Sequence, residues 1–472
     1  MKDKANILSL INSLSKSEKR SCGRWIKKKY DGLRKDIPQL FMVLSRESKR
    51  SGKNKESVFR EVYGLKTFDD TSLRKAISIL KKEIEAFLVF NALKNDQVRY
   101  QIMLSEIYRQ RGLEKFFHQN IVRLEKEINQ SPVATSFKYF QKYQLATEQY
   151  EFDSQMKRQQ FDYLQEMTDD FSDFYVLEIL KRACHLRSHQ SFTSTEYEIK
   201  HLDMAMEYAR NIPLDKEPAF RIYYLIFSAG EEGSDGVSFD ALREALEVHW
   251  EAFPQQEIRD IYLLSVNHCI RQLNQGSRVF LLEAFRLYKS AIAKNVLYEN
   301  GKLTPFTYKN IISIALALGE KDWAYRFLHE QKEFLHAGHR ENTFAANLAT
   351  YYYKIGQFEQ AMELLQKVHF RDPYDNLQYR TLLMRIYYQL GEENALEHHL
   401  ESFASYLYRH KNLGYHKGLY QNLIKVMRKI MRSNLRDRSV RDRLIHEIET
   451  NEQLAEKSWL TNQLEIPKSI SS

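Results

Sequence analysis

Leucine, tyrosine and glycine recur along the chain at four-residue intervals, as Leu104, Tyr108 and Gly112, then Leu348, Tyr352 and Gly356, then Leu383, Tyr387 and Gly391. A weaker copy reads Ile311, Ala315 and Gly319. On a helix this spacing places the Leu and Tyr side chains one turn apart on one face, and a glycine one turn further on supplies the left-handed residue that ends the helix. Ala324 and Ala361 follow Gly319 and Gly356 at the same short distance. A small residue there lets a second helix pack closely on the first. The pattern therefore predicts helical hairpins and leaves little room for sheet.

The rest of the chain agrees. In TSLRKAISILKKEIEAFLVF, Leu73, Ile77, Leu80, Ile84, Phe87 and Leu88 recur at steps of three and four and form one helical stripe. The 472 residues contain only 16 Gly and 8 Pro, too few turn formers for an all-β chain of this length. Helices are expected at 96–111, 113–129, 135–153, 156–170, 171–190 and 195–210. Breaks are expected at Ser131-Pro132, Pro213, the AGEEGSDG loop at 229–236, and Pro254. Further pairs are expected around Gly276, Gly319, Gly356 and Gly391, with a last pair over 414–456.

Residues 342–375 resemble a tetratricopeptide repeat (TPR), through Leu348, Tyr352, Gly356, Phe358, Ala361 and Pro373; Leu365 replaces the usual aromatic, and Ala345 stands where the family has its first one. The next unit keeps Leu383, Tyr387 and Gly391 and has its small residue at Ala395. The resemblance is clearest over 305–410. It implies an α-solenoid of TPR-like helical hairpins, which the rhythm of helix pairs extends over 96–456; with the basic N-terminal helical bundle (1–95), set apart by its charge and rhythm, and a C-terminal tail (457–472), the chain is expected to be all-α. It further implies a concave groove that holds a peptide or protein. Positions matching the groove face include Lys309, Ser313, Thr350, Tyr353, Lys354, Thr381, Arg385, Tyr388 and Gln389. Lys309 and Asn347 match two positions of the family's carboxylate clamp, whereas Ser313, Gln378 and Leu382 do not. The candidate peptide groove is thus Lys309, Asn347, Tyr353, Lys354, Arg385 and Tyr388. The alternative is that these are solvated residues of no special role.

Charge is unevenly distributed. Residues 1–100 carry a net +12, residues 101–408 a net −9 and residues 409–443 a net +9. Such asymmetry bears on partners rather than on fold. Ser15-Lys16-Ser17-Glu18 reads as a capping box opening a helix that bears Lys19, Arg20, Arg24, Lys27, Lys28 and Lys29. A short helix at 54–63, a turn at Gly64 and a long helix from about residue 70 outline a helix-turn-helix. On the long helix, Arg74, Lys75, Lys81 and Lys82 form a candidate basic surface that could follow nucleic-acid phosphates. The competing reading is a solvated basic helix in a bundle. In the second basic stretch, 425–443, Val426, Ile430 and Leu435 are expected to face the core. Ribosomal RNA and anionic lipid would also suit this charge.

Chemistry-bearing motifs are sparse. Cys22, Cys184 and Cys269 form no CxxC, which fits a reducing compartment and no disulfide framework. His185 and His189 lack the glutamate of HExxH and read as surface histidines. Asp169, Asp170 and Asp173 read as an acidic cluster at a helix boundary. The N-terminus lacks the apolar stretch of a signal peptide, and the longest apolar run, IISIALAL, is too short for a span. The expectation is a cytoplasmic, non-enzymatic protein without cofactor, metal or catalytic residues. Its partner is a protein or peptide, with nucleic acid as the alternative, read by an N-terminal effector joined to a sensor solenoid.

Overall fold

The computed structural model describes every residue except 1, 47–53, 65, 131–134, 157–162, 191–194, 214–216, 230–236, 369–371, 411–412, 415 and 466–472. The break at Ser131-Pro132, the body of the AGEEGSDG loop and the terminal IPKSISS fall outside the described residues. Among those described there are 23 α-helices and no β-strand, so the all-α reading holds. The chain forms two compact units, Met1–Val176 and Leu177–Ser472.

The first unit begins with α1 (Lys2–Ser13), α2 (Lys16–Lys29), α3 (Asp36–Arg46), α4 (Lys55–Tyr63) and α5 (Asp70–Asn95). These five share one core, in which Ile11, Ile26, Ile37, Leu40, Leu80 and Ile84 are wholly buried. The capping box forms as expected. The Ser15 N–H donates to Glu18 Oε2 at 2.8 Å, and the Glu18 N–H donates to Ser15 Oγ at 3.2 Å. Glu83, buried on α5, accepts from Lys29 Nζ and from the Tyr30 hydroxyl, each at 2.9 Å, and so fixes the end of α2 to α5. Next come α6 (Gln97–Gln110), α7 (Glu114–Gln130) and α8 (Ser136–Met156). Their separate cluster includes Phe117 stacked on Phe152 at 4.3 Å.

α9 (Leu164–Gln190) replaces two expected helices with one. No Gly or Pro lies within it, and the aspartates read as a boundary lie inside it. Asp169 accepts from Gln165 Nε2 at 2.9 Å and Asp170 faces Lys142 at 3.7 Å, so their charge is used within and across helices. The helix expected over 195–210 forms only as α10 (Leu202–Arg210). His201 takes a left-handed φ of 60°, which interrupts the helix before it.

The second unit continues with α11 (Pro218–Ser228), α12 (Val237–His249), α13 (Gln255–Asn274), α14 (Val279–Ala293), α15 (Pro305–Leu318) and α16 (Lys321–Glu330). It ends with α17 (Arg340–Lys354), α18 (Phe358–Gln366), α19 (Pro373–Leu390), α20 (Glu393–Arg409), α21 (His416–Arg432), α22 (Arg438–Thr450) and α23 (Lys457–Glu465). Neighbours pack as pairs: α11 with α12, α13 with α14, α15 with α16, α17 with α18 and α19 with α20. First helices of successive pairs also touch, α15 with α17 and α17 with α19. Gly319 and Gly391 cap α15 and α19 at φ 83° and 73°, a conformation in which any Cβ is strained. Ala324 and Ala361 are wholly buried, which is what close pairing requires. Val426 and Ile430 of α21 are buried and Leu435 packs beside them, as the periodicity predicts.

Candidate functional site

The groove positions that cluster best lie at the ends of α17 and α19. Arg385, Tyr388 and Gln389 stand three and four residues apart on α19, which places them on one face. Tyr353 and Lys354 close α17, the helix beside it. These residues meet α23, which lies in the segment read as a tail. Trp459 Nε1–H donates to the Tyr353 hydroxyl at 3.0 Å. Its ring sits edge-on to Tyr388, centroids 5.5 Å apart, and 5.3 Å from the Arg385 guanidinium. Glu456 forms an ion pair with Arg385, and Gln389 Nε2 donates to Gln463 Oε1 at 2.8 Å. Below these polar contacts, Leu460 and Leu464 of α23 are buried in the core shared by α19 to α22.

The electrostatics follow from burial. The Arg385 side chain is 19% exposed, and its Nε has no hydrogen-bond partner. Desolvation lowers its pKa, opposed by the neighbouring Tyr353. Burial also lowers the pKa of Lys354, and the like charge of Arg385 adds to the effect. Burial raises that of the Tyr353 hydroxyl, with Arg385 pulling it the other way. Glu456 adopts φ 65°, a costly conformation for a residue with a Cβ, at the point where its carboxylate meets Arg385. The set can hold an aromatic donor on a helix and a carboxylate on the left-handed residue just before that helix.

The other groove candidates do not join this set. Lys309 Nζ donates to Gln378 Oε1, and burial lowers the lysine pKa while Asp375 opposes that effect. Asn347 is buried, and its Nδ2 donates to the Thr343 carbonyl of its own helix at 2.7 Å. Thr350 and Thr381 likewise donate to carbonyls one turn back on their own helices.

On the candidate basic surface of α5, Arg74 pairs with Asp70 at 2.7 Å and Lys81 with Glu85 at 3.5 Å, while Lys75 and Lys82 are exposed. In the second basic stretch Arg428 pairs with Glu397 at 2.9 Å and Lys429 with Glu447.

The three cysteines are buried free thiols, and burial lifts Cys22 and Cys184 to about 12. Among the described residues no group of three His, Cys, Asp or Glu side chains is placed to hold a metal ion, and no helix is long and apolar enough to cross a membrane. Sequence reasoning missed Glu456 and Trp459. The available signal was LAEKSWLTNQL, in which Leu454, Leu460 and Leu464 give the segment a buried side and Trp459 packs partly buried beside them.

No protein-family model matches the chain, and neither a curated protein nor a solved structure matches it.

Proposed function

We propose that this is a non-enzymatic, TPR-like helical-repeat scaffold whose α17–α19 face recognises a helical segment carrying an aromatic residue and a carboxylate. The observation that carries the reading is α23. A stretch of the chain's own sequence occupies the face through Trp459 and Glu456, engaging three of the six groove residues expected from the repeat. Paired packing of α15 to α20, with first helices in mutual contact, supports a solenoid arrangement of these hairpins. The partner would present the same two groups and compete with α23 for Arg385 and Tyr353. A nucleic-acid effector reading draws less support from α5, where two of the four basic side chains are already paired with carboxylates.

The test uses full-length protein in which Trp459→Ala and Leu460→Ala loosen the resident helix. A fluorescent peptide of residues 451–465 should bind this variant saturably and bind wild type at least tenfold more weakly. Adding Arg385→Ala should abolish the binding. Equal binding with and without Arg385, or no binding by the loosened variant, would refute recognition by this face.

A further inference from the structure

A second surface lies within the N-terminal unit, away from the residues of that face in sequence and built differently. α2 turns Cys22 and Ile26 into the core and lays Trp25 against Phe90 at 5.2 Å. Its other side carries Lys19, Arg20, Gly23, Arg24 and Lys27, spaced three and four apart. α3 turns Pro38, Phe41, Met42 and Ser45 toward it at the same helical spacing. Between the two helices runs an open trough of about 980 Å³.

The rim of the trough is cationic. Lys19, Arg20, Arg24, Lys27, Lys35 and Arg46 line it, and the one carboxylate among the lining residues is Asp31. None of the six cations has an ion-pair partner among the described residues, whereas nearby Lys29 and Arg34 are held by Glu83 and Asp36. Six like charges around one depression repel each other; solvent and salt screen that repulsion and an anionic occupant lowers it further.

The floor is apolar. A Cβ on Gly23 would come within 3.3 Å of the Phe41 ring, so the glycine lets α3 close against the α2 backbone. Met42 is 46% exposed, a flexible apolar side chain facing solvent at the mouth of a basic trough. Such a floor decides between anions. A single strand held by base stacking would need exposed aromatic faces for its bases. Here Phe41 is 4% exposed and the Tyr30 hydroxyl is tied to Glu83. A trough between two helices with an apolar floor and charged walls fits a third helix, apolar side down and carboxylates outward.

We infer that the α2–α3 trough binds an acidic amphipathic helix of a protein partner. α2 is 14 residues long and would match a helix of about four turns, or roughly 21 Å.

The experiment uses the full chain and defined probes. A fluorescent 14-residue peptide carries leucines along one helical face and glutamates on its flanks. Its controls are a scrambled peptide of the same composition, a version with lysine in place of glutamate, single- and double-stranded DNA, and phosphatidylglycerol vesicles. The acidic amphipathic peptide should bind at least tenfold more tightly than either control peptide and weaken as salt rises. The triple variant Arg20→Glu, Arg24→Glu, Lys27→Glu should lose binding, with unchanged circular dichroism because all three side chains are exposed. Met42→Gln, which removes the apolar contact without adding charge, should weaken the peptide at least tenfold while leaving any binding of DNA as in wild type. Equal binding of the scrambled peptide, an unaffected Met42→Gln variant, or tighter binding of DNA or vesicles than of the peptide would overturn the inference. So would failure of the peptide to bind at low salt.

Discussion

Replacing Trp459 tests whether α23 is held on its face by specific contacts or only by the leucines beneath it. The indole donates one hydrogen bond to Tyr353 at 3.0 Å, worth about 1 kcal/mol net. The edge-on contact with Tyr388 at 5.5 Å adds about 0.5–1.5 kcal/mol. The Arg385 guanidinium 5.3 Å from the ring adds about 0.5–1 kcal/mol. Trp459→Ala should therefore favour local opening of α23 by about 3 kcal/mol, and at about 1.4 kcal/mol per decade this is roughly a hundredfold. The assay is amide hydrogen exchange across Lys457–Glu465, which reads local opening without requiring the whole chain to unfold. Exchange there should accelerate about a hundredfold in Trp459→Ala and about fivefold in Trp459→Phe, which keeps a ring and loses the donor. Tyr353→Phe should act like Trp459→Phe, and combining the two should cost less than their sum. Unchanged protection in Trp459→Ala would mean that Leu460 and Leu464 alone hold the helix. The contacts around Arg385 would then carry no recognition.

Two further outcomes follow from burial elsewhere. Burial lifts the Asp170 carboxyl to about 6; Lys142 opposes the rise, and Asp173, Glu166 and Asp169 reinforce it. With an unfolded value of about 3.9, its contribution to stability is complete below about pH 4 and is lost as pH rises through 6. Asp170→Asn should stabilise the first unit by about 1–2 kcal/mol at pH 7 and by nothing measurable at pH 4. Urea midpoints at the two pH values check this, and a gain equal at both would show that the charge is not responsible. Ala361 is wholly buried beside Ala349 and Leu383, so Ala361→Leu should overpack the α17–α18 pair and destabilise it by about 1–3 kcal/mol. A thermal midpoint within a degree of wild type would mean that the pair does not need a small residue there.

What the sequence disclosed, and what it hid, sorts by the range of the interaction. The caps were legible because each is a local bargain between backbone and side chain. Ser15 and Glu18 satisfy each other's N–H groups, and Gly319 and Gly391 take the left-handed turn that a Cβ resists. The buried stripe of α5 was legible because helical period sets it, from Leu73 through Leu80 to Phe87. α9 was misread because aspartates, which suit a helix start, also stand inside a helix when Gln165 donates to one and Lys142 partly offsets the charge of another. Those partners lie on another helix and one turn back, and charge patterning alone does not name them.

The face on α17 and α19 shows the same division at the candidate site. Repeat spacing brought Tyr353, Arg385 and Tyr388 to one surface, which needs only helical geometry and the contact of two neighbouring helices. What occupies that surface depends on a residue 106 positions from Tyr353, in a segment whose mixture of Glu, Lys, Ser and Trp looks like a polar tail. Its leucines anchor it in the core, and its partly buried tryptophan has one donor to satisfy and finds the Tyr353 hydroxyl. Arg385 in turn needs a carboxylate once 81% of its side chain is withdrawn from water, and Glu456 supplies it at the cost of a left-handed backbone. A partner that displaces α23 must therefore bring both an acceptor for the guanidinium and a ring for the Tyr388 edge. A peptide with only one of the two would leave a buried cation or a cavity behind. That requirement, more than any area of contact, is what would make the face selective.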